Sequence, residues 1–282
     1  MSGLTSGAKH GTVRRRSGGV RMFMQMWTHR VMITGLVRRD LRARYAGSML
    51  GALWTLLHPL LLLLVYVFVF STILRVRFTP EGGSLSFSLH LLAGLLPWLA
   101  FQEGILKATT AIVDNAGVVK STHFPAVVLV MSSVVATGIT FLVSLMLLVV
   151  ALLVTGYGSW WHLPYLPVLV FLQTVLALGI SLFTASLHTL VRDTAPVLQM
   201  LLMVWFYLTP IIYPSSYVPE RWAVVFGWNP LTPLVNAYRG VLLEGKIPSA
   251  VEILPSCVWA IAFLCFGRLV FSRVEPIFAD VV

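Results

Sequence analysis

The sequence predicts an all-α membrane protein with six transmembrane helices, an N-terminal interfacial amphipathic helix, and short re-entrant helices between the fifth and sixth spans. Its 282 residues are 58% hydrophobic and only 11% charged, whereas soluble domains contain about 25% charged residues. Several apolar runs reach the roughly 20 residues that a helix needs to cross the hydrocarbon core. Prolines interrupt the shorter apolar runs nearer the C-terminus, and this favours short helices there.

Positive charge is concentrated at the N-terminus. Ten of the 20 Lys and Arg residues precede residue 45, a distribution typical of a segment that stays in the cytoplasm beside anionic headgroups. This accounts for the net charge of +10 without a nucleic-acid partner. The candidates for headgroup or interfacial contacts are Arg38, Arg39, Arg42 and Arg44.

Two segments precede the first span. Residues 1–26 are rich in Gly, Ser and basic residues, which predicts a flexible cytoplasmic tail. Residues 27–46 carry an apolar side chain every four residues, at Ile33, Val37, Leu41 and Tyr45. This spacing predicts the interfacial helix. Asp40 and Arg44 have the i,i+4 spacing of a helical ion pair, which either snorkels at headgroup depth or contacts a partner.

Residues 47–273 form the predicted membrane domain. Its six apolar runs predict spans at about residues 51–74, 87–113, 125–154, 166–190, 195–212 and 258–271. The segment from about 214 to 250 contains short, proline-flanked apolar stretches, which predict the re-entrant helices. With these spans, fifteen of the basic residues lie on the cytoplasmic side of the membrane and five on the outer side. Both termini, including the tail at 274–282, are therefore predicted to be cytoplasmic.

The chain lacks the motifs of an energy-converting enzyme. It has no Gly-x-x-x-x-Gly-Lys-Ser/Thr phosphate loop and no His-Glu-x-x-His zinc motif. We therefore expect no catalytic residues and no metal ligands. Glu103 and Lys107 lie in the second predicted span with i,i+4 spacing, which favours a structural ion pair. A proton relay needs several intramembrane acids, so if this protein moves something uphill, the energy must come from a partner.

Several motifs occur together along this hydropathy profile. They include RDLRARY (39–45), GSMLGALW (47–54), NAGVVKSTHFP (115–125), YLTPIIY (207–213) and WNPLTP (228–233). Between about residues 30 and 272, the chain resembles the type-2 ABC exporter permeases that export polysaccharides, and most of all the O-antigen and teichoic-acid group. The resemblance implies a non-enzymatic transport subunit that moves a lipid-linked, O-antigen-like polysaccharide outward across the bacterial inner membrane.

The resemblance also implies the partners. The permease would be a homodimer bound to two cytoplasmic ABC ATPase subunits, and those subunits would hold the ATP and Mg²⁺, so this chain needs no cofactor of its own. The residues implied in ATPase coupling are Asp114, Asn115, Val118, Lys120, Phe124, Arg192 and Asp193. For Lys120, a solvated loop charge is the alternative interpretation.

Aromatic side chains are the candidates for a glycan path, because the C–H faces of sugars pack on aromatic rings. The candidates in the first and fifth spans are Tyr66, Phe68, Phe70, Trp205, Phe206 and Tyr207; alternatively, these rings face lipid or core. Arg42 and Arg44 are candidates for a lipid pyrophosphate, with membrane anchoring as the alternative. Trp222, Trp228 and Tyr238 are predicted to be interfacial anchors rather than gate residues.

Other functions remain open at this point. Within the same family, the cargo could instead be teichoic acid, a capsular glycan, a drug or a small lipid. A membrane glycosyltransferase or polymerase belongs to a different class. It would need acids or arginines in its outer loops for the chemistry, and the predicted outer loops are short and poor in acids.

Overall fold

The computed structural model describes residues 29–44, 47–74, 84–121, 124–158, 160–213 and 215–282, and these residues form helices and turns without a strand. The predicted tail at 1–26 lies outside the described residues, as do both ends of the predicted 27–46 helix. Five of the described helices are long and apolar enough to cross a membrane.

The helices are numbered in chain order. The first five are α1 (Arg30–Ala43), α2 (Trp54–Val67), α3 (Ser84–Asp114), α4 (Ala116–Ser121) and α5 (Val127–Thr155). The remainder are α6 (Leu166–Leu190), α7 (Thr194–Tyr207), α8 (Glu220–Trp228), α9 (Leu231–Arg239), α10 (Ala250–Val274) and α11 (Phe278–Val281). Short 3₁₀ or π turns extend or join them at Phe68–Ile73, Trp160–Tyr165, Gly240–Glu244 and Glu275–Ile277.

The first four predicted spans agree to within a few residues with α2 extended by its π turn (Phe68–Ile73), α3, α5 and α6. The helix of the last span begins earlier than predicted, at Ala250 rather than near residue 258. Ser249 caps this helix, because its hydroxyl accepts a hydrogen bond from the Glu252 backbone N–H. The Glu252 carboxylate in turn accepts one from the Ser249 N–H. This capping box starts the helix ahead of Pro255.

The fifth predicted span is the exception to this agreement. The run at 195–212 is an α-helix only over Thr194–Tyr207, which is 14 residues. At 1.5 Å per residue this helix is about 21 Å long, shorter than the hydrocarbon core of a bilayer. The chain turns at Pro210, which cannot continue a helix. Beyond that turn, α8 and α9 are the two short helices expected in the proline-rich segment.

The core of the bundle is centred on α3. Every residue from 91 to 98 is buried, and α3 packs against α2, α5, α6, α7 and α9. By contrast, Pro59 and Leu63 are the buried residues of α2. The predicted apolar stripe of α1 packs against α5, with Ile33 and Val37 buried.

The most extensive helix contact joins α6 and α10. A Cβ placed on Gly179 would lie 2.5 Å from the Leu264 backbone nitrogen, and one placed on Gly267 would overlap the Gly179 carbonyl oxygen. The two backbones therefore touch only because neither glycine has a side chain. Small residues are the usual means of close helix packing in membranes, where lipid gives no hydrophobic drive between helices.

Candidate functional site

The loop that follows α3 is held against α1. The Arg39 guanidinium donates a hydrogen bond to the Asn115 side-chain oxygen over 2.6 Å. The Asn115 amide group donates to the Ala111 carbonyl oxygen at 2.8 Å. By sequence, Arg39 is a candidate for contact with lipid headgroups. In the structure it binds Asn115, one of the residues predicted for ATPase coupling. Two other basic side chains of the group on α1, Arg38 and Arg42, are exposed.

The two segments predicted for coupling meet at the same end of the bundle. His188, near the end of α6, is buried and interacts electrostatically with both Asp114 and Arg192. Asp114, Arg192 and Asp193 are exposed. Sequence reasoning missed His188, because it lies inside an apolar run with no local pattern to distinguish it from a core residue.

The short helix α4 lies within the 114–124 loop and has two different faces. Lys120 is exposed, Val119 is buried, and Val118 is half-buried. Phe124, at the end of the loop, is half-buried against the hydrophobic core. Lys120 is therefore on the exposed side of α4, while Val119 packs the helix against the bundle.

Three charged groups form a cluster between α1 and α3. The Glu103 carboxylate lies 2.9 Å from the Arg44 guanidinium and 2.9 Å from the Lys107 amine. The predicted pair of Glu103 with Lys107 is confirmed. The predicted pair of Asp40 with Arg44 is wrong, because the Arg44 guanidinium, just after α1, pairs with Glu103 of α3 instead. The Arg44 side chain is only 14% exposed, unlike the surface arginines that precede it.

This cluster borders a cavity of about 390 Å³ between α2, α3 and α5. Trp54 and Phe141 contribute aromatic walls, and the hydroxyls of Thr137 and Thr140 also line it. Those two hydroxyls donate to carbonyl oxygens of their own helix. Two cations and one carboxylate leave the cavity with a net positive charge, so it can receive one anionic group.

The aromatic candidates on α2 and its π turn differ in environment. Tyr66 stacks on Phe70 with ring centroids 5.9 Å apart, and Phe70 contacts Phe87 of α3 at 5.2 Å. Phe68, by contrast, is 57% exposed. Phe70 therefore connects this helix to α3, Tyr66 packs beside Phe70, and Phe68 lies on the outer surface.

The candidates on α7 divide in the same way. Trp205 packs edge-on against Phe101 of α3, with centroids 5.7 Å apart. Phe206 contacts Trp98 at 5.6 Å, and Tyr207 is 57% exposed. Among the six aromatic candidates, Phe68 and Tyr207 are the two whose side chains are mostly exposed.

Asn229 connects α7 to the short helices that follow it. Its side-chain oxygen accepts hydrogen bonds from the Trp205 indole at 2.9 Å and the Leu231 N–H at 3.1 Å. Its amide group donates to the Leu208 carbonyl and the Thr209 hydroxyl. Sequence reasoning gave Asn229 no role of its own. The sequence signal for this role is the position of Asn229 directly before Pro230 in the WNPLTP motif. Proline has no backbone N–H to donate, so an amide side chain beside it can donate to acceptors that proline cannot reach.

Arg239 is a buried cation at the opposite end of the bundle from Asn115. It is 2% exposed, and its guanidinium donates to the carbonyl oxygens of Pro210 at 2.7 Å, Ile211 at 2.6 Å and His90 at 3.3 Å. Gly94 of α3 leaves room for it, because a Cβ there would lie 2.9 Å from the Arg239 Nη2. The sequence alone suggests only an outer-loop charge at this position.

The three predicted interfacial anchors, Trp222, Trp228 and Tyr238, differ in exposure. Trp222 and Trp228 on α8 are exposed, as an anchor requires. The prediction for Tyr238 is wrong, because its side chain is fully buried and packs edge-on against Phe141 with ring centroids 6.0 Å apart. Position 238 falls on the inner face of α9, which a proline-rich sequence pattern does not reveal.

A second cavity, of about 460 Å³, opens beside Arg239. Its polar lining includes Asn236, Glu244, Lys246 and Glu252. The Lys246 amine donates to the Glu252 carboxylate over 2.8 Å, and this hydrogen bond raises the pKa of Lys246. The lining carries both signs of charge, so this cavity has no preference for an anion.

Several apolar helices of membrane-spanning length place the chain among multi-pass membrane proteins. The family profile described as "ABC-2 type transporter" matches residues 32–243. The chain belongs to this family.

The similar proteins are transport subunits. The chain is 31% identical to the O-antigen export system permease protein RfbA of Myxococcus xanthus, over 93% of this chain and 99% of that protein. It is 28% identical to RfbA of Klebsiella pneumoniae, over 89% and 95%. It is 24% identical to the polysialic acid transport protein KpsM of Escherichia coli, over 87% and 94%.

Proposed function

We propose that this chain is the permease subunit of an ATP-driven ABC exporter that moves a lipid-linked, O-antigen-like polysaccharide to the outer side of the bacterial inner membrane. The observation that carries the proposal is its similarity to an O-antigen export permease over 99% of that protein's length. The positive cavity and the exposed aromatic rings are compatible with such a cargo.

The path of α7 supports a sixth crossing. His188 brings the start of this segment, at Arg192, close to Asp114 at the end of α3. Trp205 packs beside Trp98 in the middle of α3. The Arg239 guanidinium donates hydrogen bonds to the carbonyl oxygens of both Ile211 and His90. Ile211 therefore lies close to the start of α3. The segment from 194 to 211 thus runs antiparallel to α3 along its length. With six crossings both termini lie on one side, and the N-terminal arginines favour the cytoplasm.

The exposed faces of α2 and α7 support a homodimer with the cargo path near its axis. The helix α2 and its π turn expose Leu64, Val65 and Phe68, while α7 exposes Met200, Met203 and Tyr207. Apolar side chains on these faces suit contact with a second copy, with lipid or with a lipid-linked cargo. The rings of Phe68 and Tyr207 would offer flat surfaces to the C–H faces of sugars.

The end of the bundle that carries the 114–124 loop suits a soluble ATPase partner. It presents Asp114, Lys120, Arg192 and Asp193 as exposed charges on segments fixed to the bundle. Two ATPase subunits, each holding its own ATP and Mg²⁺, would dock at this end of the permease. Their movement would reach the permease through α4. The cavity with Arg44 and Lys107, which extends towards the middle of α3 and α5, would receive the anionic headgroup of the lipid carrier.

Reconstitution tests the proposal. The tagged permease is co-expressed with the ABC ATPase encoded beside it, purified, and placed in vesicles with a lipid-linked glycan. We expect the two proteins to co-purify and glycan to cross the bilayer only with hydrolysable ATP. The matched control is the permease alone with ATP, which should be inactive. Hydrolysis by the lone permease, or failure of the ATPase to co-purify, would refute the proposal.

Deletion of the gene separates the cargo classes. A polysaccharide exporter predicts loss of surface glycan with unchanged susceptibility to drugs, and restoration by a plasmid copy. Increased drug accumulation with intact surface glycan would assign the chain to the export of small molecules.

A further inference from the structure

The helix α4 cannot hold its own position. It has six residues, whereas isolated helices shorter than about 12–15 residues are marginal in water. Its conformation and direction must therefore come from contacts with the rest of the protein. Those contacts decide how a force applied to α4 reaches the membrane helices.

The C-terminal residues supply one of these contacts. After α10 the chain passes through the Glu275–Ile277 turn into α11, which packs against both α4 and α6. Phe278 is 1% exposed, and its ring lies edge-on to Phe271 with centroids 5.3 Å apart. Among the described side chains of α4, Val119 is buried. A segment that the sequence predicts only as a tail is thus part of the hydrophobic core.

A polar contact fixes the other end of the same loop. The Glu275 carboxylate interacts electrostatically with the backbone N–H of Ala126, the residue that precedes α5. The C-terminal turn therefore contacts the 114–124 loop region on both sides, through α11 at α4 and through Glu275 at the start of α5.

We infer that residues 275–282, here called the C-terminal clamp, position α4 so that its movement is transmitted to α10. This inference rests on the proposed function, in which α4 receives the movement of the ATPase. From α10 the movement passes to α6, because Gly179 and Gly267 bring these two helices into backbone contact. Phe278 and Glu275 are positioning residues in this scheme and need not touch cargo or nucleotide.

The central test uses Phe278→Ala in the complete permease–ATPase complex in vesicles. We expect the complex to assemble and hydrolyse ATP, with a several-fold loss of glycan exported per ATP hydrolysed. Phe278→Leu, which retains a large apolar side chain, should restore most of that ratio. The matched control is Ile253→Ala, a buried position at the other end of α10. It should lower thermal stability and leave the export ratio unchanged.

Hydrogen exchange on the permease alone tests the clamp without reference to transport. Peptides that cover residues 114–124 should exchange faster in Phe278→Ala and Glu275→Ala than in the wild type or in Ile253→Ala. Unchanged exchange there, or an unchanged export ratio in both variants, would overturn the inference. If Phe278→Ala does not accumulate, Glu275→Ala carries both measurements. If the wild-type complex exports no glycan, the proposed function fails, while the exchange result still decides the clamp.

Discussion

The Arg239 guanidinium donates a hydrogen bond to the Pro210 carbonyl oxygen over 2.7 Å, and both residues are buried. Pro210 lies where α7 has ended and the backbone is no longer helical. Carbonyl groups of such a segment have no partners within a helix, and at membrane depth they must find donors in the protein. Arg239 supplies those donors, so a single side chain from α9 stabilises the turn after α7.

Replacing Arg239 with Met should destabilise the protein. The substitution keeps an apolar stem but removes the donors to the Pro210 and Ile211 carbonyls, and each buried unsatisfied group costs about 1–3 kcal/mol. The measurement is the thermal unfolding midpoint in detergent. Arg221→Met on the exposed face of α8 is the control and should have little effect. Equal midpoints for the two variants would contradict the role assigned to Arg239.

Gly94→Ala should lower the stability of the protein, as replacement of Arg239 does. The new Cβ would lie 2.9 Å from Arg239 Nη2 and 3.0 Å from a methyl group of Val235, so the guanidinium must shift away from its carbonyl partners. Gly138 of α5 provides the control, because a Cβ there meets nothing within 4 Å. Gly138→Ala should stabilise its helix by roughly 0.5–1 kcal/mol. Stabilisation by Gly94→Ala as well would argue against the close fit.

Gly179→Ala should separate α6 from α10. The added methyl group meets backbone atoms of Phe263 and Leu264, which cannot move aside as a flexible side chain can. Overpacking of this kind costs about 1–3 kcal/mol. Thermal unfolding in detergent would record the loss, and Gly138→Ala again serves as the reference. A midpoint for Gly179→Ala at or above that of the wild type would show that the helices have room to spare.

The contact between Arg39 and Asn115 should appear in a double-mutant cycle. Arg39→Ala and Asn115→Ala each remove the same hydrogen bond, so their effects on export should be non-additive. We expect a coupling energy of about 0.5–1 kcal/mol, since an exposed pair contributes little. Arg38→Ala combined with Asn115→Ala is the comparison, because Arg38 is also exposed on α1. Strict additivity in both cycles would mean that α1 and the loop act independently.

Arg44→Ala should lower export more than Arg42→Ala. Arg44 borders the 390 Å³ cavity and is paired with Glu103, whereas Arg42 is exposed on α1. Removing Arg44 leaves Glu103 with Lys107 alone, so the cavity loses its net positive charge and its attraction for an anionic headgroup. Export rates would be compared at equal amounts of assembled complex. A similar loss in both variants would indicate general membrane anchoring by these arginines.

Local sequence patterns were sufficient for most of the helices and their apolar faces. The four-residue spacing of Ile33 and Val37 predicted the buried side of α1, and the predicted limits of the fourth span are those of α6. The i,i+4 pair of Glu103 and Lys107 was also predictable. These features depend on residues within one or two turns of each other, and helical periodicity alone relates such residues.

Contacts between distant segments were decided only by the tertiary structure. Arg44 pairs with Glu103 rather than Asp40, Arg39 binds Asn115, and Phe278 enters the core beside Phe271. Each of these partners depends on how whole helices cross, and the packing that sets those crossings leaves no local periodicity in the chain. The sequence by itself thus determined a basic N-terminus, apolar helices and the lack of a Gly-x-x-x-x-Gly-Lys-Ser/Thr phosphate loop. Packing decided which charges pair, which aromatic rings remain exposed, and what holds α4 in place.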